Sequence, residues 1–196
     1  MPEKNYFIHP NALVETDNIG KDTRVWAFSH VQKNVTIGED CNLGDHTFIE
    51  SGVKIGNRVT IKNGIAVWEG VKIEDDVFLG PFCVFTNDMF PRSKVYHSEV
   101  AETIIKKGAS VGANATVLCG IELGSYCLIG AGAVVTRSVP DFALVTGNPA
   151  RIKYWVSKTG EKLIFNKENI AEDSGGNKYK LNISKENESQ NFVTEL

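Results

Sequence analysis

Residues 49–85 read IESGVKIGNRVTIKNGIAVWEGVKIEDDVFLGPFCVF, and this stretch carries a repeat of six residues. An apolar residue leads each unit, and the same step of six extends back to Ile19. A small or β-branched residue, such as Val53 or Cys83, follows four residues after each leading position before Phe85. The leading positions up to the first interruption are Ile19, Val25, Val31, Ile37, Leu43, Ile49, Ile55, Ile61, Val67, Ile73, Leu79 and Phe85.

A period of six predicts β structure. A helix repeats every 3.6 residues and a half-buried strand alternates with a period of two, so neither sustains this spacing. Short strands joined by regular turns do sustain it, with one large and one small side chain per unit pointing inward. Glycine, asparagine and aspartate at the starts and middles of the units supply the turns. We therefore expect a parallel β-solenoid whose layers lie about 4.8 Å apart.

The repeat resumes at Ile105 and continues to Val135 in a new phase. Ile105 lies twenty residues after Phe85, which is not a multiple of six. Residues 86–104 are therefore an insertion in an otherwise unbroken register, and a loop that leaves a rigid scaffold is a common place for binding residues.

Composition bounds the function. The chain has 196 residues, with 21 Lys and Arg against 24 Asp and Glu and a hydrophobic fraction of 42%, which suits one soluble domain with a sizeable core. The net charge of −3 and the lack of a basic stripe argue against nucleic acid as a partner. No apolar run approaches the roughly 18 residues of a membrane span, and the N-terminus lacks a signal-peptide layout, so we expect a cytoplasmic protein.

The four cysteines form no Cys-x-x-Cys pair and no histidine stands at metal-ligand spacing from them, so no metal site is expected. Buried, reduced thiols are the simplest interpretation of these cysteines.

The pattern aliphatic-Gly-x-x-small-x, found over about residues 8–140, resembles the hexapeptide-repeat acyltransferases. The resemblance implies an all-β fold, a left-handed parallel β-helix with three hexapeptides, or 18 residues, in each triangular coil. It also implies a homotrimer with active sites between subunits. On this basis residues 1–140 form the β-helix domain with its insertion at 86–104, and residues 141–196 form a C-terminal segment ending in a polar arm.

An 18-residue coil places Glu69 and Asn87 at the same position on adjacent layers, about one strand spacing apart. They lie where the insertion leaves the helix, and Asp88 follows at once. Taken singly, an exposed Glu at a turn is ordinary and Asn often starts a loop through an Asx-turn. As a stacked pair beside a loop, they are expected to form a polar floor for a substrate.

The stretch Phe85-Thr-Asn-Asp-Met-Phe-Pro-Arg92, one coil after Trp68–Glu69–Gly70, resembles the N-acetyltransferases of nucleotide-linked 3-amino sugars. The resemblance implies that the sugar's C3 amine attacks the thioester of acetyl-CoA. It makes Asn87, Glu69 and Asp88 the expected catalytic residues. Expected substrate contacts are Arg92, Trp68 and Phe85.

Two substrate classes stay open at this point. The centre of the chain resembles enzymes acting on dTDP-3-amino-3,6-dideoxyhexoses. The tail at 155–162 resembles enzymes acting on UDP-2-acetamido-3-amino-2,3-dideoxyglucuronate. Either resemblance implies a role in the synthesis of surface-polysaccharide precursors.

Acetyl-CoA binding is expected at small residues one coil apart and at the closing segment. Ala113 and Ala131 differ by 18, and their N–H groups could bind the amides of the pantetheine arm, although small residues also simply suit β-helix corners. The Gly-Asn-Pro-Ala-Arg stretch at 147–151 matches a segment that lies near coenzyme A in the family. Pro149, with the phosphate-binding candidates Arg151 and Lys153, completes the expected cofactor contacts.

Two other functions fit parts of the pattern. O-acetylation of a sugar or small metabolite would need a base, for which His97 in the insertion is the candidate. A non-catalytic β-helix scaffold would use its faces for protein contacts, and it would need neither Asn87–Asp88 nor the closing segment.

Overall fold

The computed structural model describes residues 5–95, 100–184 and 191–196. Every regular element in these ranges is a β-strand, and no helix there is long and apolar enough to cross a membrane. The parallel β-helix predicted from the six-residue repeat is confirmed.

The strands are mostly two residues long. Before the insertion they are β1 (Phe7–Ile8), β2 (Leu13–Val14), β3 (Arg24–Val25), β4 (His30–Val31), β5 (Thr36–Ile37), β6 (Asn42–Leu43), β7 (Phe48–Ile49), β8 (Lys54–Ile55), β9 (Thr60–Ile61), β10 (Ala66–Val67), β11 (Val71–Ile73), β12 (Phe78–Leu79) and β13 (Val84–Phe85). After it come β14 (Thr103–Ile105), β15 (Ser110–Val111), β16 (Thr116–Val117), β17 (Glu122–Leu123), β18 (Leu128–Ile129), β19 (Val134–Val135), β20 (Ala143–Thr146), β21 (Arg151–Trp155), β22 (Ile170–Glu172), β23 (Lys178–Asn182) and β24 (Phe192–Glu195).

The strands stack into three faces of a prism. Face one is the sheet β1-β3-β6-β9-β12-β15-β18-β20, extended by the antiparallel β21. Face two contains β2-β4-β7-β10 and, as a separate sheet, β13-β16-β19. Face three is β5-β8-β11-β14-β17. We call the corner between faces one and two the first edge, that between two and three the second edge, and that between three and one the third edge.

The core is the inside of this prism. The leading residue of each unit and its smaller companion point inward, so Val31, Val67 and Val35 are each no more than 1% exposed. Burying one such aliphatic side chain stabilises the fold by about 1.5–3 kcal/mol before chain entropy is counted. Ile19 is only half-buried, because it lies in the open first coil.

Polar side chains hold neighbouring coils together at the edges. On the third edge the backbone N–H of Glu39 donates to Asn57 Oδ1 at 2.9 Å, and that of Asn57 donates to Asp75 Oδ1 at 2.8 Å. Arg58 also bonds Asp76 through two contacts of 2.6 and 3.0 Å, which lowers the pKa of that carboxyl. Each turn is thus tied to the one above it.

The insertion leaves from the second edge. Strand β11 pairs with β8 eighteen residues earlier and with β14 thirty-two residues later, so this coil contains fourteen additional residues. The chain returns tightly past Gly70, where a Cβ would lie 2.7 Å from Val100 Cγ1 and 3.0 Å from the Ala101 carbonyl oxygen. Gly70 has a φ of +89°, so it also supplies a left-handed turn at this point.

The C-terminal part closes the end of the prism. Strands β22, β23 and β24 form an antiparallel sheet of their own. Tyr179 on β23 is fully buried; its ring packs edge-on against Phe142, and its hydroxyl bonds Asp173 Oδ2 at 3.0 Å. In the described residues, the arm expected from its polar composition is therefore an ordered sheet packed against the last coil.

Candidate active site

The expected acceptor residues lie at the second edge. Glu69 and Asn87 each come two residues after a strand of face two, β10 and β13 respectively. The two layers touch through Trp68, whose indole Nε1 donates to the Phe85 carbonyl oxygen at 2.9 Å. Glu69 is exposed and Asn87 is half-buried, so both are open to a ligand at the layer where the insertion starts.

A further carboxylate, which the sequence reasoning missed, lies beside Glu69. Glu50 Oε2 accepts a 2.7 Å hydrogen bond from the backbone N–H of Glu69. Glu50 comes 18 residues before Trp68, so it lies one coil below the residue that precedes Glu69. The coil period could therefore have identified Glu50. Counting Asp88, three carboxylate side chains belong to this edge, and negative charges of this kind attract a cationic amine.

Asp88 opens the insertion through an Asx-turn. Its Oδ1 accepts the backbone N–H of Phe90 at 2.8 Å, and its side chain is half-buried. Arg92 is exposed further along the insertion, where its Nη1 donates to the Pro91 carbonyl oxygen at 2.9 Å. Asp88 therefore has a local structural role as well as a position beside Asn87.

The Phe85 side chain does not fit its expected role as a substrate contact. It is 2% exposed and occupies a leading position of the repeat, so the ring points into the core. Phe85 reaches the acceptor side only through its backbone carbonyl, which Trp68 occupies. This prediction needs correction, because inward leading positions are core positions in every coil.

Trp68 is half-buried beside this layer. Its ring centroid lies 5.5 Å from that of Phe48 in the preceding coil, with the rings tilted by 53°. This aromatic contact and the hydrogen bond to Phe85 together fix the position of the indole. One face of the side chain thus belongs to the fold while the rest borders Glu69 and Asn87.

The expected coenzyme A residues lie at the first edge. Ala113 is half-buried and Ala131 is exposed, one coil apart. In an earlier coil a backbone N–H at this edge has a side-chain acceptor, because the N–H of Ala27 donates to Asp45 Oδ1 at 3.0 Å. Among the described residues, the N–H groups of Ala113 and Ala131 have no such acceptor. Both groups are available to the amide oxygens of a ligand.

A cavity of about 230 Å³ lies at the C-terminal end of the prism, between the ends of faces two and three and the start of β21. Arg151 lines it together with Arg137, which the sequence reasoning did not select. Two guanidinium groups beside one small cavity suit phosphate groups. Pro149, after a cis peptide bond, and Lys153 on β21 are exposed nearby.

The donor and acceptor residues lie on different edges of one chain. Ala113 and Ala131 lie at the first edge, Glu69 and Asn87 lie at the second, and face two separates them. The two expected half-sites of one chain, donor and acceptor, therefore point away from each other.

The described residues contain no cluster of three or more His, Cys, Asp or Glu side chains that could hold a metal ion. Cys83 lies close to the acceptor layer, but its side chain is buried, and burial raises the pKa of its thiol to about 12. It is not available as a nucleophile. His97, the candidate base for O-transfer, lies outside the described residues.

Comparison with known proteins identifies the family. The model of the bacterial transferase hexapeptide family (six repeats) matches residues 18–51 and 102–137. The chain is 56% identical over 159 residues to dTDP-3-amino-3,6-dideoxy-alpha-D-galactopyranose 3-N-acetyltransferase of Aneurinibacillus thermoaerophilus, which covers 81% of this chain and 83% of that one. The chain belongs to the hexapeptide-repeat acyltransferases.

Solved structures agree on the fold of this acyltransferase. A hexapeptide transferase family protein from Anaplasma phagocytophilum superposes with a TM-score of 0.54 at 16% identity, covering 79% of this chain and 81% of that one. A UDP-N-acetylglucosamine acyltransferase from Campylobacter jejuni gives a TM-score of 0.52 at 18% identity, covering 76% and 74%. The resemblance drawn from the repeats is thereby confirmed.

Proposed function

We propose that this acyltransferase moves an acetyl group from acetyl-CoA to the C3 amine of a dTDP-linked 3-amino-3,6-dideoxyhexose. The observation that carries the proposal is the 56% identity, over most of both chains, to an enzyme named for that reaction. The electronegative second edge, with Glu50, Glu69 and Asp88 around Asn87, supports an amine as the acceptor.

The reaction needs a neutral amine aimed at the thioester carbonyl. The nitrogen lone pair forms the new C–N bond, the C–S bond breaks, and coenzyme A leaves as a thiolate. The proton on the attacking nitrogen passes to the departing thiolate, directly or by way of the Glu69 carboxylate, so that free thiol is released. Asn87 fixes the amine or a neighbouring hydroxyl through its amide, and Asp88 and Arg92 border the nucleotide sugar.

The donor half-site would take coenzyme A along the first edge. The free N–H groups of Ala113 and Ala131 bind amide oxygens of the pantetheine arm. Pro149 borders the arm, and its phosphates are bound by Arg151, which lines the 230 Å³ cavity, and by Lys153.

A complete site would then need two chains. Because the half-sites lie on different edges, the acceptor edge of one subunit must meet the donor edge of the next. A closed ring of three prisms satisfies this condition with identical contacts. The insertion adds exposed apolar side chains, Met89 at 52% and Phe90 at 74%, which suit contact with a neighbouring subunit. We therefore propose a homotrimer.

We place this enzyme in the cytoplasm, where activated sugars and acetyl-CoA meet, as a step that prepares amino sugars for surface polysaccharides.

A substrate panel tests the proposal. Purified protein with acetyl-CoA is offered dTDP-3-amino-3,6-dideoxygalactose and its gluco epimer, UDP-2-acetamido-3-amino-2,3-dideoxyglucuronate, and a dTDP-4-amino isomer, and thiol release is followed. We expect a dTDP-3-amino sugar to give the highest kcat/KM. The matched control is a dTDP-6-deoxyhexose with a hydroxyl at C3. Preferential acetylation of that control, or of the C4 amine, would contradict the assignment.

A further inference from the structure

The sheet of face two is interrupted at one layer. In regular layers of this face, the residue after each strand donates its N–H to the next coil, as Glu50 does to the Val67 carbonyl oxygen at 2.9 Å and Thr86 does to that of Val117 at 3.2 Å. The equivalent bond from the Trp68 N–H to the Phe85 carbonyl oxygen is missing, and within the described residues no backbone hydrogen bond joins β10 to β13.

The Trp68 indole fills the place of the missing bond. Its Nε1 donates to the Phe85 carbonyl oxygen that the backbone would otherwise use. Leu118 holds the position equivalent to Trp68 two strands later, and there the bond is present, from the Leu118 N–H to the Val135 carbonyl oxygen at 3.0 Å. We call this missing pairing between β10 and β13 the opening. It coincides with the indole and is not a general property of this edge.

A column of side-chain acceptors is interrupted at the same residue. Gln32 Oε1 accepts the N–H of Ser51 at 3.0 Å, and Thr86 Oγ1 accepts that of Cys119 at 3.0 Å. Glu50 does the same for Glu69. Trp68 holds this position in the next coil but has no acceptor atom, so the N–H of Asn87 has no acceptor among the described residues.

We propose that Trp68 is a positioning residue that keeps this layer open, so that the backbone N–H of Asn87 donates to an oxygen of the acceptor sugar. The inference rests on the proposed function, since it assigns a ligand group to the same half-site. The backbone N–H of Asn87 is thus left as a donor at the layer of Glu69 and Asn87. An N–H without an acceptor, beside two polar side chains, is suited to a hydroxyl or ring oxygen of a ligand.

Two substitutions separate the opening from the uncapped N–H. Trp68→Leu should close the layer as Leu118 does, and Trp68→Gln should close it and also cap the Asn87 N–H as Gln32 caps Ser51. We expect KM for the dTDP-amino sugar to rise about tenfold in Trp68→Leu and further in Trp68→Gln, while KM for acetyl-CoA stays unchanged. Gln32→Leu, at the same edge two coils away, is the matched control and should leave both KM values unchanged.

Hydrogen exchange supplies a readout independent of turnover. In the wild-type protein the Trp68 amide should exchange fast, and the Asn87 amide should become protected when the dTDP-amino sugar is added. In Trp68→Leu the amide of residue 68 should be protected without ligand.

The possible outcomes are distinct. Equal sugar KM values for wild type and Trp68→Leu would overturn the role of the opening, and equal values for Trp68→Leu and Trp68→Gln would overturn the role of the Asn87 N–H. If a variant fails to fold, lack of ligand protection at Asn87 in the wild type overturns the proposal. If the wild type acetylates no dTDP-amino sugar, it is the proposed function that fails. Hydrogen exchange still tests the opening in that case, because slow exchange of the Trp68 amide would show that the layer is closed.

Discussion

Glu69 and Asn87 can each be changed without removing core volume, because neither side chain points into the prism. Glu69→Gln keeps the shape of the side chain and removes its charge, and Asn87→Ala removes the amide. We expect each to lower kcat/KM for the amino sugar about 100-fold through loss of proton transfer or orientation. Steady-state kinetics on the dTDP-3-amino sugar measure this.

Exposed residues outside the half-sites provide the controls for these variants. Glu39→Gln and Asn18→Ala should keep wild-type turnover, and all four proteins should melt at similar temperatures. Wild-type turnover in Glu69→Gln and Asn87→Ala would remove both residues from the site.

The four thiols, Cys41, Cys83, Cys119 and Cys127, are all buried. Burial raises the pKa of Cys41, Cys83 and Cys127, so these thiols stay protonated at neutral pH. We expect a thiol reagent at pH 8 to modify none of the four in the native protein and all of them in denaturant. Stoichiometric labelling of the native protein at the rate of free cysteine would show that the coils open readily.

At the scale of elements, the insertion should be separable from the coil that carries it. Excision of residues 88–101 removes fourteen residues and brings Val71 and Thr103 back to a spacing of eighteen. We expect this variant to fold with an unchanged melting temperature, because shortening a surface loop costs little. It should bind acetyl-CoA through Ala113 and Ala131 but lose turnover of the amino sugar.

The matched control for this excision removes one residue fewer, 88–100. This shorter excision leaves one additional residue at the second edge, where β14 can still pair with β11 as it does after the native insertion, so we expect the same melting temperature and the same loss of amino-sugar turnover. Full amino-sugar turnover in the fourteen-residue excision would show that the insertion is not part of the acceptor site.

The coils themselves were predictable for a local reason. Each unit alternates inward and outward residues, so the spacing of aliphatics alone identified the buried positions, including Val67 and Ile105. The separation of β10 from β13 was not predictable, because it depends on where one indole N–H meets a carbonyl in the next layer. The same spacing marks Phe85 as a leading position, so its ring should have been assigned to the core and not to the substrate.

At the scale of the whole molecule, the proposed half-sites on two edges of a proposed trimer predict complementation between subunits. Asn87→Ala disables the acceptor edge, and Ala131→Glu, which places a carboxylate at the donor edge, should block acetyl-CoA. Each variant alone should be nearly inactive. Trimers reassembled from an equal mixture should recover about a quarter of wild-type turnover, because random assembly pairs two intact half-sites at that frequency.

Sedimentation of each preparation checks that trimers form. The control is the double variant, which carries both changes in one chain. Mixed with either single variant it should give no recovery, because every such mixture lacks an intact acceptor edge or an intact donor edge. No recovery in mixed trimers would indicate that one chain carries a complete site.

The sequence alone determined the solenoid, its inward positions and the insertion, because these follow from spacing along a chain that repeats every six residues. The shared position of Glu69 and Asn87 also needed the 18-residue coil that the family resemblance implies. Only the tertiary structure decided that the two expected half-sites face away from each other, that Arg137 joins Arg151 at one cavity, and that the layer above Trp68 is open. Those features depend on how edges, closing strands and individual hydrogen bonds meet across coils, and residue spacing does not encode such contacts.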